Sequence, residues 1–349
     1  MFVYSGSLHI HSKFSDGSGE VREIANLANE SGLDFIILTD HNTLRAKDEG
    51  YEGFYGKTLL IVGCEINDKE NKNHYLAFGV DKTFSTRMPA AQYVKAVNDA
   101  GGIGFLAHPH EKRDSMEEHP PYPWTDWEIS DFTGIEIWNH MSEWMENLTE
   151  QNKYNSFVHP LRTIDRPAEE TLEVWDRLNL KRKVTAIGGI DAHAHRVNLL
   201  GFFEVEVFPY KVLYKSIRTY VILPERMYPT DDPAVQKHYQ KLILEALKEG
   251  RSFVANYYHG DATGFRFFAD AGGQTYNMGD TVPHGEKINL RVLVPAQLAV
   301  MKLVHNGRVI DETTGSDIEF VVYEKGVYRV EVYHGGRGWI FSNHIRVGI

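Results

Sequence analysis

The sequence has a single cysteine, Cys64, among its 349 residues, so it contains no intrachain disulfide. This fits the reducing cytoplasm, where we expect the protein to work. No apolar run approaches the roughly 18 residues that a bilayer-spanning helix requires, and the N-terminal residues lack the basic flank and apolar core of a signal peptide. We therefore expect no membrane partner.

The sequence also lacks an excess of basic residues, since its formal net charge is −11. Binding to duplex nucleic acid depends on clustered Lys and Arg, so the composition argues against that function. A small anionic ligand is not excluded, because bound dications reverse the local sign of the charge. Nothing in the sequence indicates the oligomeric state.

Apolar runs alternate with helical patterns along the first 260 residues. An apolar stripe from Val21 to Ala28, for example, precedes the strand-like run Phe35–Leu38. Such alternation is typical of an α/β fold with a parallel sheet or barrel. We therefore predict an α/β domain over residues 1–260.

A different pattern follows this first domain. Apolar residues alternate with polar ones from Ile288 to Val294, and Asn306-Gly307 lies between two apolar runs, as in a β-hairpin. We predict a small antiparallel all-β accessory domain, similar to a β-sandwich, over residues 261–349. We expect it to supply no metal ligand.

Residues of the types that bind metals follow the predicted strands of the first domain. In (β/α) barrels, side chains at the C-terminal ends of the strands converge on one mouth. Burying so many ionisable groups together would be costly without cations. The nine candidates are His9, His11, Asp16, His41, Glu65, His74, His108, Asp191 and His193. Their mixed nitrogen and oxygen atoms predict a multinuclear site for Mn, Fe or Zn.

Two or three such dications could activate a hydroxide and polarise a phosphoryl or carbonyl oxygen, so no covalent nucleophile is needed. The sequence has no Gly-x-Ser-x-Gly motif, and we predict that Cys64 is a packing residue. The candidates for catalytic roles are His193, His110 and Asp191, with His193 or His110 supplying a proton to the leaving group.

Other residues near these motifs have two interpretations. A phosphate could be bound by Arg113, Arg196 and His110. Alternatively, the two arginines could be solvated loop charges, and His110 could contact a metal ligand from outside the site. Glu136 and Asn139 could orient a ligand histidine or make ordinary strand-end hydrogen bonds. The long loop from Glu111 to Asp131 is a candidate lid or binding loop. Three aromatic residues could line the substrate pocket or pack beneath this loop. They are Trp124, Trp127 and Trp138.

The sequence resembles the PHP family, named for its polymerase and histidinol phosphatase members, over roughly residues 5 to 260. The motifs that carry the resemblance are Leu8-His9-Ile10-His11-Ser12, Ser15-Asp16-Gly17, Leu38-Thr39-Asp40-His41-Asn42, Gly63-Cys64-Glu65-Ile66, His74-Tyr75-Leu76, Ala107-His108-Pro109 and Gly189-Ile190-Asp191-Ala192-His193. The C-terminal run Gly338-Trp339-Ile340-Phe341-Ser342-Asn343 is similar to that of the carbaryl-hydrolase-like branch, which has a C-terminal β domain.

The resemblance implies a distorted (β/α)7 PHP barrel with a trinuclear metal centre. One metal would take His9, His11, Glu65 and Asp191. A second would share Glu65 and take His74 and His108. A third would take Asp16, His41 and His193, and the carboxylate of Asp16 stands where many relatives have histidine.

We therefore expect a metal-dependent phosphoesterase that hydrolyses a small phosphomonoester or phosphodiester through a hydroxide bridging the metals. The first alternative is a carboxylester or carbamate hydrolase that uses the same metals. The second is a non-catalytic metal-binding regulatory module.

The ligand set predicts that the protein purified without chelator carries two to three equivalents of Mn, Fe or Zn. Elemental analysis of the purified protein measures this directly. Less than one bound transition metal, with no activity after metal is added, would contradict the predicted site.

Overall fold

The computed structural model describes residues 1–113, 120–199, 203–285, 287–295 and 298–349. The α-helices in these ranges are Val21–Glu30 (α1), Arg45–Asp48 (α2), Ala90–Asp99 (α3), His140–Glu146 (α4), Lys153–Val158 (α5), Glu169–Asn179 (α6), Tyr210–Leu213 (α7) and Pro233–Glu249 (α8). Two 3₁₀ turns span Pro160–Arg162 and Tyr257–His259. Within the described ranges, no helix has the length and apolar character needed to cross a membrane.

The strands fall before and after α8. Those that precede it are Phe2–Leu8 (β1), Phe35–Leu38 (β2), Gly53–Tyr55 (β3), Thr58–Val62 (β4), Cys64–Ile66 (β5), Tyr75–Phe78 (β6), Ile103–Leu106 (β7), Gly134–Asn139 (β8), Thr185–Gly189 (β9), His195–Leu199 (β10), Phe203–Val207 (β11) and Ile217–Leu223 (β12). Those that follow it are Ser252–Asn256 (β13), Arg266–Ala271 (β14), Gln274–Asn277 (β15), Thr281–Val282 (β16), Ile288–Leu293 (β17), Ala299–His305 (β18), Arg308–Gly315 (β19), Asp317–Val322 (β20), Gly326–His334 (β21), Arg337–Ser342 (β22) and Ile345–Val347 (β23).

Local sequence explains where the longer helices begin and end. In α8 the side chain of Asp232 accepts a hydrogen bond from the backbone N–H of Ala234, and Pro233 occupies the first turn, where its missing N–H costs nothing. Gly250 ends the helix in the left-handed conformation, with φ of 75°. Helix α1 buries Val21, Ile24, Ala25 and Ala28, which lie on one face because they are three or four residues apart.

The strands of the first domain lie in three sheets. Strands β12, β1, β2, β4 and β3 are consecutive neighbours in the first sheet, β5 to β9 form the second, and β10 pairs with β11 in the third. Isolated bridges, Ile10 with Ala192 and His41 with Glu65, join the first two sheets. The predicted α/β class is confirmed. The (β/α)7 closure stays a prediction.

Not all of these strands are parallel, in contrast to the sequence-based expectation. The pairs β1–β2, β2–β4, β7–β8 and β8–β9 are parallel, whereas β6 is antiparallel to both β5 and β7. The connection over residues 67–74 explains the first reversal, because it is too short for the crossover that a parallel pair needs.

Side-chain hydrogen bonds link β9 to the first sheet. The amide of Asn343 accepts from the backbone N–H of Ala186 at 2.8 Å and donates to the carbonyl oxygens of Ala186 and Ser252. The Thr219 hydroxyl likewise bonds both backbone groups of Gly188. A residue from near the C-terminus therefore fixes the strand that leads to Asp191.

The C-terminal region continues the first sheet. Strand β22 pairs with β13 through Phe253–Ser342, Val254–Phe341 and Ala255–Ile340. Strands β15, β14, β17 and β20 form a separate four-stranded antiparallel sheet. The predicted antiparallel all-β character is confirmed apart from the parallel pair β16–β23. The predicted hairpin is confirmed, with φ of 53° at Asn306 and 83° at Gly307.

A buried ion network joins α6 to the C-terminal strands. The Arg329 guanidinium donates to both oxygens of Asp176, at 2.8 and 2.9 Å, and the His344 imidazole lies 2.6 Å from one of them. Arg329 also donates to Glu331 at 2.6 Å. Burial alone would raise the pKa of Asp176, but Arg329 and His344 lower it to about 2.

Replacing Asp176 with alanine should lower the free energy of unfolding by about 3 kcal/mol or more, because it leaves the Arg329 charge buried with one carboxylate fewer. The wild-type contribution of Asp176 is complete above its unfolded pKa and is lost as pH falls through about 4 towards 2. Chemical denaturation at several pH values measures both effects.

The matched control is Asp317→Ala, which removes a similar bidentate Arg–Asp pair, with Arg291, from the solvent-exposed surface. We expect little change in its unfolding midpoint. Equal effects of the two substitutions would contradict a special role for the buried network.

Candidate metal centre

The backbone is strained where strands end at the site. His9, His108 and Asp191 have positive φ angles of 62°, 28° and 51°. L-residues rarely adopt this region, and such strain persists only where the surrounding structure imposes it. These turns direct three candidate ligands toward one place at the ends of β1, β7 and β9.

One carboxylate oxygen of Glu65 faces three imidazoles. Its Oε2 atom lies 3.0 Å from Nε2 of His9, 3.2 Å from Nε2 of His11 and 3.5 Å from Nδ1 of His41. Glu65 is 1% exposed, so this charge is removed from water.

The other oxygen of Glu65 faces two further imidazoles. Its Oε1 atom lies 2.7 Å from Nδ1 of His74 and 3.4 Å from Nε2 of His108. The two oxygens of Glu65 therefore face different sets of imidazoles. This is the placement expected of a carboxylate that bridges two cations.

Two aspartates complete the cluster on either side of His11. Asp191 Oδ1 lies 3.4 Å from His9 Nε2 and 3.3 Å from His11 Nε2. Asp16 lies 3.7 Å from His11, 3.5 Å from His41 and 3.3 Å from His193, and half of its side chain is exposed. The cluster therefore has a closed side at Asp191 and an open side at Asp16.

All nine predicted ligands lie in this cluster. Eight of them form three overlapping groups, and within each group the ligand atoms all lie within 4.8 Å of one another. The groups are His9-His11-Glu65-Asp191, His11-Asp16-His41-His193 and His41-Glu65-His74. The first group is the first predicted metal set, the second adds His11 to the third predicted set, and the last has His41 where the second predicted set has His108. His108 joins the cluster through Glu65, at 3.4 Å. Among the described residues, these groups contain none from 261–349.

The unpaired nitrogen atoms in the cluster fit a cation. Buried polar atoms without a hydrogen-bond partner include both ring nitrogens of His11, Nδ1 of His41, Nε2 of His74 and Nδ1 of His108. Leaving such atoms unpaired is costly, and coordination to metal would satisfy those that face the cluster. The donor set therefore suits divalent metal ions with mixed nitrogen and oxygen ligands.

The charges of the cluster are strongly coupled. Burial alone would lower the pKa of His11, but Asp191 and Glu65 raise it to about 10. Burial would raise the pKa of Glu65, whereas the imidazoles, led by His9, hold it well below its usual range. Burial lowers the pKa of His41 to about 4. Without cations, protons on some of the imidazoles balance the carboxylates; bound dications would take over this role.

Three polar residues order the cluster from outside. Glu136 Oε1 lies 2.9 Å from His9 Nδ1, and the other Glu136 oxygen accepts from the His108 backbone N–H at 2.9 Å. Asn139 donates to Glu136 at 3.0 Å. Asp40 accepts from Ser12 and Ser15 and so orders the turn that carries Asp16. A carboxylate behind a ligating histidine fixes its ring and raises its basicity.

The candidates for substrate binding lie in different surroundings. Arg113 is 11% exposed, donates to Glu111 at 2.5 Å and lies over the Tyr122 ring. Arg196 is 53% exposed and lies 3.6 Å from Glu206. His110 is not seen to contact the nine ligands; its Nδ1 atom lies 2.9 Å from the Thr171 hydroxyl.

The aromatic residues and Cys64 are mainly packing residues. Trp124 and Trp138 are 2% and 1% exposed and belong to the main core, while Trp127 stacks on His110. Cys64 is fully buried, and burial together with the neighbouring Glu65 charge raises its pKa to about 12. A thiol in this state is a poor nucleophile.

Sequence reasoning missed two residues of the loop after His108. The Tyr122 ring stacks on His74 with a centroid distance of 5.0 Å, and the buried Glu111 carboxylate accepts from the Tyr122 backbone N–H. Glu111 follows His108 by three residues, a spacing that could have suggested contact. Nothing in the sequence pattern signals the Tyr122 stack.

The profile of the PHP domain family matches residues 7–248, and the chain belongs to this family. An uncharacterized protein of Methanocaldococcus jannaschii is 24% identical over 116 residues, which cover 30% of this chain and 66% of that protein, just under two thirds of its length. Placement in the carbaryl-hydrolase-like branch stays a prediction.

Two solved structures show weaker similarity. A two-domain protein from Bacteroides vulgatus, containing a predicted PHP-like metal-dependent phosphoesterase, is 16% identical, with 98% of this chain and 95% of that chain covered and a TM-score of 0.46. An amidohydrolase from Chromobacterium violaceum with bound sulfate and no metal is 14% identical, with 54% and 87% covered and a TM-score of 0.32. The family match and the clustered ligands support a metal-dependent hydrolase.

Glu65→Gln and Asp191→Asn should each lower kcat/KM by about 100-fold or more in metal-replete buffer, because an amide cannot supply the charge that faces the imidazoles. Steady-state kinetics with metal analysis of each variant measures the loss. Asp81→Asn is the control, since Asp81 is an exposed partner of Lys47. Near-wild-type turnover of either site variant would contradict the assignment.

Proposed function

We propose that the protein is a metal-dependent phosphoesterase that hydrolyses a small phosphomonoester or phosphodiester. The observation that carries this proposal is the buried Glu65 carboxylate, whose two oxygens face separate sets of imidazoles. When bound, two or three divalent cations would activate a water molecule and polarise a phosphoryl oxygen. The clustered side chains would hold these cations, and His193 would be free to carry a proton when only the two cations that share Glu65 are bound.

The protein itself would position the charges and manage a proton. The backbone carbonyl oxygen of Asp191 lies 3.0 Å from Nδ1 of His193, nearer than the Asp191 carboxylate at 3.6 Å, and Asp16 lies 3.3 Å from its Nε2 atom. His193 is 12% exposed at the side of the cluster where Asp16 reaches solvent. These contacts support His193 as the group that delivers a proton to the leaving oxygen, with Asp191 holding its ring.

Arg113 supports a phosphorylated substrate. Its Nε atom is buried without a hydrogen-bond partner among the described residues, and its guanidinium lies 5.0 Å from the centre of the Tyr122 ring that stacks on His74. A guanidinium recognises phosphate through charged hydrogen bonds that a neutral carbonyl substrate does not require. Arg196 is a weaker candidate because its side chain is 53% exposed, so water already solvates its charge.

A carboxylester or carbamate hydrolase remains the alternative enzyme, since the same cations would polarise a carbonyl oxygen. A non-catalytic metal-binding module is less well supported. Its metal would need no opening to solvent, whereas Asp16 and His41 are partly exposed within the cluster.

We expect kcat/KM to be higher for p-nitrophenyl phosphate or bis-p-nitrophenyl phosphate than for p-nitrophenyl acetate. Arg113→Met should raise KM for the better phosphoester by about tenfold, as expected for losing one charged hydrogen bond, and Arg196→Met should have a smaller effect. A higher kcat/KM for the acetate would replace this proposal with the esterase alternative. No hydrolysis of any ester by the metal-loaded protein would favour the non-catalytic module.

A further inference from the structure

We infer that Glu111 is a positioning residue that connects the metal cluster to a substrate-facing wall formed by Arg113 and Tyr122. The part of this inference that concerns substrate rests on the proposed function. The part that concerns the metal cluster does not.

Glu111 is buried and uses both carboxylate oxygens to hold separate segments together. Its Oε1 atom accepts from Arg113 at 2.5 Å and from the Ser142 hydroxyl of α4 at 2.8 Å. Its Oε2 atom accepts from the Tyr122 backbone N–H at 2.9 Å. The Glu111 side chain is 5% exposed. It therefore links Arg113 and Tyr122 to helix α4.

Glu111 also faces the metal cluster through His108. Nδ1 of His108 lies 4.0 Å from Glu111 Oε2, while Nε2 of the same ring faces Glu65 at 3.4 Å. The distance to Nδ1 is longer than a hydrogen bond, unlike the 2.9 Å between His9 and Glu136, but the Glu111 backbone N–H donates to the His108 carbonyl oxygen at 3.1 Å. Glu111 is thus placed to hold the turn that carries His108 and to put a negative charge near the outer nitrogen of its ring.

The wall consists of three stacked groups. The Tyr122 ring lies nearly parallel to the His74 ring, at an angle of 15°, and the Arg113 guanidinium lies on the Tyr122 ring. Such stacks of a cation, an aromatic ring and an imidazole hold their members in fixed planes. Tyr122 therefore covers one face of His74 and limits how closely a substrate group can approach it.

A second buried side chain holds the same segment. Asn73 Oδ1 accepts from the backbone N–H of Thr125 at 2.7 Å and of Asp126 at 3.3 Å. Asn73 directly precedes His74, and Glu111 lies three residues after His108. Residues 122–126 are thus attached to the same short segments that carry two candidate ligands. They form a wall of the site, whereas residues 114–119 of the predicted lid or binding loop lie outside the described residues.

The test compares Glu111→Gln, Tyr122→Ala and Tyr122→Phe in the full-length protein. Glu111→Gln should weaken Zn²⁺ binding by about tenfold in a chelator competition and raise KM for p-nitrophenyl phosphate. Tyr122→Ala should raise KM, and weaken binding of inorganic phosphate, by about tenfold with a smaller change in kcat. Tyr122→Phe keeps the ring and should recover most of this loss. The matched control for loss of charge is Glu169→Gln. Glu169 lies in α6 and is an exposed partner of Arg166.

Circular dichroism establishes that each variant is folded. Wild-type Zn²⁺ affinity in folded Glu111→Gln would overturn the link to His108. Wild-type KM and phosphate affinity in Tyr122→Ala, or equal losses in Tyr122→Phe, would overturn the role of the stacked ring. If Glu111→Gln does not fold, the two Tyr122 variants still test the wall formed by Arg113 and Tyr122. The Zn²⁺ affinity of Ser142→Ala, which lacks one hydrogen-bond donor to Glu111, then tests the connection between Glu111 and His108. If no phosphoester is hydrolysed, the proposed function fails while Zn²⁺ and phosphate binding still decide this inference.

Discussion

The carboxylate of Glu65 is surrounded by five imidazoles from four segments of the chain, and removing this many ionisable groups from water is costly unless each finds a partner. That constraint explains much of the nearby structure. It accounts for the strained backbone at His9, His108 and Asp191, which brings ligand atoms together at strand ends. It also accounts for the buried polar residues behind the cluster, since an unoriented imidazole would hold neither a proton nor a cation well.

Features that depend on neighbours in sequence could be predicted well. The bounds of α8 follow from Asp232-Pro233 at one end and Gly250 at the other, and the Asn306-Gly307 hairpin follows from the positive φ angles that its turn requires. The cluster of candidate ligands was also predictable as a set, because most of its members follow or precede an apolar run and parallel strands place such residues at one edge. The motifs also indicated the PHP family, which the family profile confirms.

Features that depend on distant contacts could not be predicted. The alternation of strands and helices indicated a barrel but did not show that β6 reverses direction or that two sheets meet through isolated bridges. His110 lies two residues after His108 and seemed suited to chemistry, yet its described contacts are with α6 and Trp127. Likewise, no pattern of neighbouring residues indicates that Tyr122 stacks on His74, because that contact joins residues far apart in the chain.

The amide of Asn343 links β9 to β13 through side-chain hydrogen bonds. This has a consequence for how substitutions far from the candidate ligands would act. Asn343 supplies no candidate ligand, yet its loss would remove hydrogen bonds that hold β9, the strand that leads to Asp191. Metal affinity would then depend on a residue of the C-terminal strands that lies outside the cluster.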